Sequence, residues 1–306
     1  MIYLFCQGVN LKPAGGVKVL YDIVRTLNQL GYQSKLLING GEYSPQWFQS
    51  SNIEIENNID NVTQNDVVVF HEETLWVYDR IKASGCKHII LNQGAHWSLT
   101  NYLGYERTKQ IYYSSSGIFA NSTYTQNLIN KLFGNDLNVE RFHIPIDSSF
   151  KPGTKTNTIC YMPRRNSETA ECIAQYVKGK YPQWQCVAID NMSHEQVANV
   201  FSSAKIFLSF GGPEGFGMPP LEAAFSGCHV IGYSGFGGDE YFVPPFFTPI
   251  PFMEIISFID AIDHRVNMLV DRTSVLESYQ LSMLRETYSV NAFTKDIGRI
   301  FNKFLK

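Results

Sequence analysis

A chain of 306 residues, 44% of them hydrophobic, is long enough to bury two separate cores, and nothing in its composition marks a disordered or fibrous protein. A formal net charge of -3 gives no general attraction to nucleic acid or anionic membrane, so nucleic acid is not an expected partner. The apolar runs have strand length and the N-terminus lacks a basic flank and a small-residue cleavage site, which predicts a cytoplasmic chain; six scattered cysteines without CxxC or Cys/His spacing suggest reduced, mostly buried thiols and neither a zinc site nor a disulfide framework.

The first half alternates short apolar runs with amphipathic ones. "IYLFCQGV" reads as a buried strand; Val17, Leu20, Ile23, Val24, Leu27 and Leu30 then recur at helical spacing until Gly31, and "SKLLING" follows as a strand. Further strands are expected at "DVVVF", "KHIILNQ" and "GIFANS", with helices over 75–83 and 125–133. This rhythm is that of a doubly wound parallel sheet. "FHIPIDSSFKPG", residues 142–153, breaks it with Pro145, Pro152 and Gly153 and is the expected linker. A second series begins at once: strand "TICYMP", helix 167–181, strand "WQCVAI", helix 193–203 and strand "KIFLSF". Two helical tracts, "SFIDAIDHRVNMLVDR" and the residues from Val275 onward, close the chain with no obvious final strand. The predicted fold is α/β, with two doubly wound Rossmann-like domains facing a central cleft, 1–150 and 151–288, and a terminal helix over 289–306 that packs back on the first.

"GGPEGFGMPPLEAAFSG" holds two glutamates eight residues apart on backbone that no single helix could span. Gly215 and Gly217 suit a loop, Pro219 and Pro220 a first helical turn, and Gly227 a left-handed cap, so Glu214 is expected on a loop and Glu222 early in a helix over 220–226, with "CHVIGY" the next strand. Carboxylates presented in sequence suit a grip on different hydroxyls of one ligand, whereas a glycosidase needs them opposed across a bond. Backbone amides of Gly215, Phe216 and Gly217 would add donors; as a plain turn the motif leaves its glycine and proline density unexplained.

Other candidates stand at predicted strand ends. Gly15 and Gly16 would let amides at a helix start approach a phosphate, or simply make a tight turn. Arg164 and Arg165 in "MPRRN" would clamp a diphosphate, or lie as surface arginines. His71 and His96 each follow a strand and suit hydroxyl orientation or proton transfer, against a structural role. The aromatic group Trp97, Tyr102, Tyr105, Tyr112 and Tyr113 reads first as packing, and second as a sugar-stacking or lipid-facing wall.

Read together, "EGFGMPPLEAAFSGCHVIGY" resembles the hallmark of the retaining GT-B glycosyltransferases of the GT4 type: a first glutamate, a Gly-Phe-Gly turn, a second glutamate eight residues on and a following strand. "GGVKVLYDIVRTLNQLGYQSKLL", "FANSTYTQNLI", "FHIPIDSSFKP", "SHEQVANVFSSAKIFLSF" and "VNAFTKDIGRIFNKFL" extend the resemblance in order along nearly the whole chain. It implies that Glu222 binds the ribose of a sugar nucleotide, that Glu214 contacts hydroxyls of the transferred sugar, and that Phe216, Gly217 and Met218 lie by the sugar and diphosphate. Gly15 and Gly16 would approach the diphosphate, Arg164 would neutralise it, and His96 matches the active-site histidine of the family. There are departures: the lysine usual a few residues after the arginine is missing from "RRNSETAE", where Arg165 is the available substitute, and "VPPFFTPIPF" is atypical.

The implied reaction moves a sugar from a nucleotide diphosphate to an acceptor hydroxyl with retention, the departing diphosphate being met by arginine and amides, so that neither a metal nor a cofactor is expected. Implied partners are a nucleotide-sugar donor and a glycan or lipid-linked acceptor, with peripheral contact at the inner face of the membrane compatible. A sugar-nucleotide-binding partner subunit without turnover is the alternative, motivated by the missing lysine. A glycan phosphorylase is disfavoured, because nothing resembles its cofactor lysine.

Overall fold

The structure, a computed structural model, describes residues 1–7, 15–39, 45, 48, 50–268 and 275–306. Residues 8–14 of the predicted first strand and glycine loop, Gly40 after the second strand and residues 269–272 of the penultimate helical tract lie outside the described residues. The chain divides into two compact units, one of Met1–Ile144 with Val290–Lys306 and one of Pro145–Ser289.

Unit 1 is built from β1 (Ile2–Cys6), α1 (Gly15–Gln29), β2 (Ser34–Ile38), β3 (Ile55–Glu56), β4 (Val67–His71), α2 (Tyr78–Ala83), β5 (Lys87–Asn92), α3 (Tyr105–Ser114), β6 (Gly117–Ala120), α4 (Thr123–Phe133) and β7 (Val139–Arg141). Among the described residues the strands form a seven-stranded sheet in the order β3-β2-β1-β4-β5-β6-β7, every pair parallel. Helices cover both faces of such a sheet, which is why β1 and β4 read as unbroken apolar runs instead of alternating ones.

Unit 2 repeats the plan with β8 (Thr156–Tyr161), α5 (Ser167–Lys180), β9 (Gln185–Ala188), α6 (His194–Ser203), β10 (Ala204–Phe210), α7 (Met218–Phe225), β11 (His229–Tyr233), β12 (Phe247–Pro249), α8 (Ile255–Asn267) and α9 (Val275–Thr287). Its described strands form a five-stranded parallel sheet in the order β12-β11-β10-β8-β9. The closing helix α10 (Val290–Phe304) belongs to unit 1. It buries Phe293, Ile297, Ile300, Phe301 and Phe304 on one stripe, with Phe301 edge-on to Phe119 at 5.9 Å between ring centres and Phe304 seated over Gly117. Its polar side is tied down by the 2.7 Å pair of His143 Nδ1 and Asp296, and by Arg299 and Lys303 on Glu140.

Strand order locates the ligand side of each sheet. Neighbouring strands diverge where the winding reverses, between β1 and β4 in unit 1 and between β8 and β10 in unit 2, and a crevice opens at the carboxyl ends of such a pair. Below the crevice of unit 2, at the amino end of its sheet, Lys155 closes the other side. Its buried ammonium donates to the carbonyls of Phe201 (3.0 Å), Ala204 (2.8 Å) and Ser226 (2.6 Å), acceptors left over at the ends of α6 and α7. Burial pulls its pKa down; removing it strands the Ser226 carbonyl and leaves those of Phe201 and Ala204 with only the weak Cys228 thiol donor, at 3.1 and 3.2 Å. Lys155→Met should therefore destabilise unit 2 by about 2–3 kcal/mol, read as faster hydrogen exchange across the β10 amides; unchanged exchange would mean water replaces the ammonium at no cost.

Candidate active site

In unit 2 the two strands beside the reversal carry the motifs of interest. β8 runs into "MPRRN" and β10 into "GGPEGFG", and β8 and β10 pair in parallel as far as Tyr161 and Leu208. Asn166 turns the first loop: it takes the left-handed conformation at φ 46° and donates Nδ2 to the Phe210 carbonyl at 2.8 Å, fastening the arginine loop to the root of the glutamate loop. Arg164 and Arg165 stand exposed on that turn, and the fields of both reach Glu214.

Glu214 is half-buried, and the glycines around it explain how. A Cβ placed on Gly211, Gly217 or Gly235 would come within 3.0, 3.0 and 2.8 Å of its Oε1, so only glycine leaves room for a carboxyl here. The loop is fastened along its other edge by Glu214 N–H donating to the Gly235 carbonyl at 3.0 Å, and Gly237 packs so tightly on the Gly215 backbone that a Cβ would fall 2.3 Å from it. Burial pushes the Glu214 pKa up to about 7, against the lowering pull of Arg165 and Arg164.

Gly217, at φ 78°, ends the loop and caps α7, with Pro219 and Pro220 in the first turn where no amide need be donated. The helix thus starts at Met218, two residues ahead of the predicted Pro220. Glu222 is half-buried on its second turn, and Gly227 (φ 82°) ends the segment in a left-handed conformation. Phe216 is 3% exposed, packed on Tyr241 and Tyr288 with ring centres 5.4 and 5.3 Å away, so this position offers a ligand its backbone and not its ring. Gly215 is buried and Met218 half-buried. Tyr241, buried, donates to the Gly217 carbonyl, and both Glu214 and Glu222 help to raise its pKa, which puts the two glutamates near the same phenol.

In unit 1 the reversal gathers other candidates. Gly16, in the first turn of α1, accepts at its carbonyl from Gln93 Nε2 at 3.2 Å; Gly15 begins the helix. His96 sits half-buried on a 3₁₀ turn (Ala95–Leu99) just after β5, tilted against Trp97 at 4.7 Å between ring centres. His71, at the end of β4, has its pKa lowered to about 4 by burial, which holds it neutral and removes it as a proton carrier near pH 7. The predicted 75–83 helix divides into a 3₁₀ stretch (Glu72–Val77) and α2. Glu72, which opens that stretch, is 3% exposed and was not legible as part of a site. Of the aromatic group only Tyr112 fits the packing expectation; Trp97, Tyr102, Tyr105 and Tyr113 are 41, 83, 44 and 44% exposed.

Among the described residues no group of three or more His, Cys, Asp or Glu side chains is placed to hold a metal ion, and no helix is long and apolar enough to cross a membrane.

No protein-family model matches the chain. It is 29% identical over 242 residues to an alpha-1,6-glucosyltransferase of Actinobacillus pleuropneumoniae serotype 7 (strain AP76), a match covering 76% of this chain and 72% of the relative. Similar solved structures include Anabaena HepE in complex with UDP and glucose, at TM-score 0.77 and 13% identity over 98% of this chain and 99% of that one. The sucrose-phosphate synthase of Thermosynechococcus elongatus matches at TM-score 0.73 and 12% identity, over 99% and 98% of the two chains. The fold is thus GT-B, that of these solved glycosyltransferases, and in sequence the chain is similar to a glucosyltransferase.

Proposed function

We propose that the protein transfers glucose from UDP-glucose to a glycan or lipid-linked acceptor hydroxyl, with retention at the anomeric carbon and without a metal. The observation that carries this is the Glu214 carboxyl, held in a slot of three glycines beside Arg164 and Arg165, with Glu222 on the helix turn that follows. A glycine-lined carboxyl within the fields of two arginines suits a ligand that is anionic at one end and rich in hydroxyls at the other.

In this reading Glu222 accepts from the ribose hydroxyls and Glu214 from those of the transferred sugar. Amides of Gly215, Phe216 and Gly217, with Met218 alongside, and Arg164 with Arg165 meet the diphosphate as it leaves. Arginine takes over the task of the missing lysine. For unit 1 the proposal keeps the roles implied by resemblance, Gly15 and Gly16 toward the diphosphate and His96 toward the reacting sugar. Glucose and UDP are supported by the name of the Actinobacillus relative and by the HepE complex with UDP-glucose. Retention is supported by the α linkage in that name, because the sugar of UDP-glucose is itself α-configured. A cytoplasmic setting, with an acceptor presented at the inner face of the membrane and a place in polysaccharide or glycoconjugate synthesis, completes the proposal.

Thermal unfolding with UDP and UDP-glucose, with and without EDTA, tests it. Ligand at a hundred times its dissociation constant should add about 2.7 kcal/mol, several degrees for units of this size, in the wild type but not in Glu222→Ala, and EDTA should change nothing. Released UDP and an α-linked product seen by NMR complete the case. A shift that needs magnesium would overturn the metal-free part, and binding without turnover on any acceptor would favour the partner-subunit reading.

A further inference from the structure

A carboxylic acid that is 3% exposed calls for an explanation, since burying it costs several kcal/mol that an apolar residue would not incur. Glu72 is such a group, and what meets its carboxyl is backbone. Gln93 N–H donates to Oε2 at 3.0 Å, while the next amide, Gly94 N–H, donates to Asn92 Oδ1 at 3.1 Å. A carboxylate presents acceptor oxygens only, so whichever one faces the Gln93 amide can hold it, whereas a neutral amide of that size carries one acceptor and a donor group.

The turn so held is crowded on its far side. A Cβ on Gly94 would fall 2.8 Å from Trp97 Cδ1 and 3.5 Å from Glu72 Oε1, and Trp97 N–H returns to the Gly94 carbonyl at 2.9 Å. Gln93 is pinned in two further directions, its side-chain amide on the Gly16 carbonyl at 3.2 Å and its own carbonyl accepting from Asn121 Nδ2 at 2.9 Å. The ends of β4, β5 and β6 and the start of α1 therefore converge on one residue, three positions ahead of His96. His96 leans on Trp97, the residue that closes the turn.

We propose that Glu72 is a positioning residue for His96: its carboxyl fixes the Gln93–Gly94 turn and, through Trp97, the place of the imidazole. This rests on the reading above in which His96 works at the reacting sugar. Burial pushes the Glu72 pKa up to about 7, so its ionised form is tested at pH 8.

Glu72→Gln keeps the size but replaces the charge-assisted acceptor facing the Gln93 amide with a weaker one and a donor. Hydrogen exchange at Gln93 should quicken by about tenfold or more while the rest of the sheet keeps its protection, which also shows that the variant folds. With UDP-glucose as donor, kcat for UDP release should fall about tenfold with KM within about twofold, and the same change made on His96→Ala should cost nothing further. Unchanged exchange at Gln93, or a loss that adds in full to that of His96→Ala, overturns the proposal. If the wild type releases no UDP, the functional reading fails on its own. Glu72 is then judged by the His96 ring resonance, which Glu72→Gln should shift, and an unmoved resonance overturns its hold on the histidine.

Discussion

Glu214→Gln is expected to give a protein that is more stable than the wild type at pH 8 and about a hundredfold less active. The carboxyl has an ordinary pKa of 4.5 and one of about 7 in the folded chain, raised by burial. Between those values the folded state keeps a proton that the unfolded state has shed, so stability falls as pH rises from 4.5 to 7 and the penalty is complete above 7. Glutamine carries no charge and escapes it. With water reaching a half-buried group, the gain at pH 8 is about 1–2 kcal/mol, and near pH 4 the two proteins should unfold alike.

The loss of activity has the opposite cause. A carboxylate accepts two strong hydrogen bonds from sugar hydroxyls, and an amide accepts with one oxygen and more weakly, a difference of about 2.7 kcal/mol for a contact made in the transition state. In the proposed role the ionised form does this work, so wild-type kcat/KM should climb as pH rises through about 7, and that limb should vanish in the variant. Melting curves at pH 4 and 8 with a pH–rate profile decide it. A variant that melts lower at pH 8, or that keeps the limb, would show the slot to be built for a neutral acid.

The largest effect on stability belongs to Gly232→Ala, at about 4 kcal/mol. Gly232 lies inside β11 at φ 134°, opposite Ser209 of β10. A Cβ there would stand 2.1 Å from the Ser209 carbonyl oxygen and 2.9 Å from Phe258 Cζ, between a strand and a core ring, neither of which can step aside. Overpacking and the strained φ add. Gly31 provides the control: its φ is similarly positive, at 88°, but nothing lies within 4 Å, so Gly31→Ala should cost only about 1 kcal/mol. Thermal unfolding of the two variants should separate them by about 10 °C, and equal midpoints would mean that β10 and β11 slide apart freely.

The plan of two wound sheets was legible because buried parallel strands and amphipathic helices have distinct periods. So was the glutamate segment, where glycine and proline restrict the backbone so tightly that strand, loop, helix and strand could be laid out in order, with the helix start two residues late. What escaped was short or non-local. β3 and β7 contain two and three residues, too few for a period to show. β12 hides among prolines, which an edge strand tolerates and a central one does not. Glu72 reads as a surface acid in "HEET", and its burial exists only once β4 and β5 are side by side. Asn166 had a usable signal, since asparagine after two arginines and before a helix is a residue that accepts left-handed backbone. Exposure of the aromatics around Trp97 had none.

The membership of α10 in unit 1 bears on how the protein is made. A ribosome joins all of Pro145–Ser289 before Val290 is added, so the later of the two sheets is the first whose chain is fully synthesised. Until α10 emerges, Phe119 and the flat top of Gly117 face water, and the first-made sheet waits with an open flank. Quality control in the cell would thus meet a half-finished amino-terminal sheet, and a stop codon a few turns early would injure the unit encoded first.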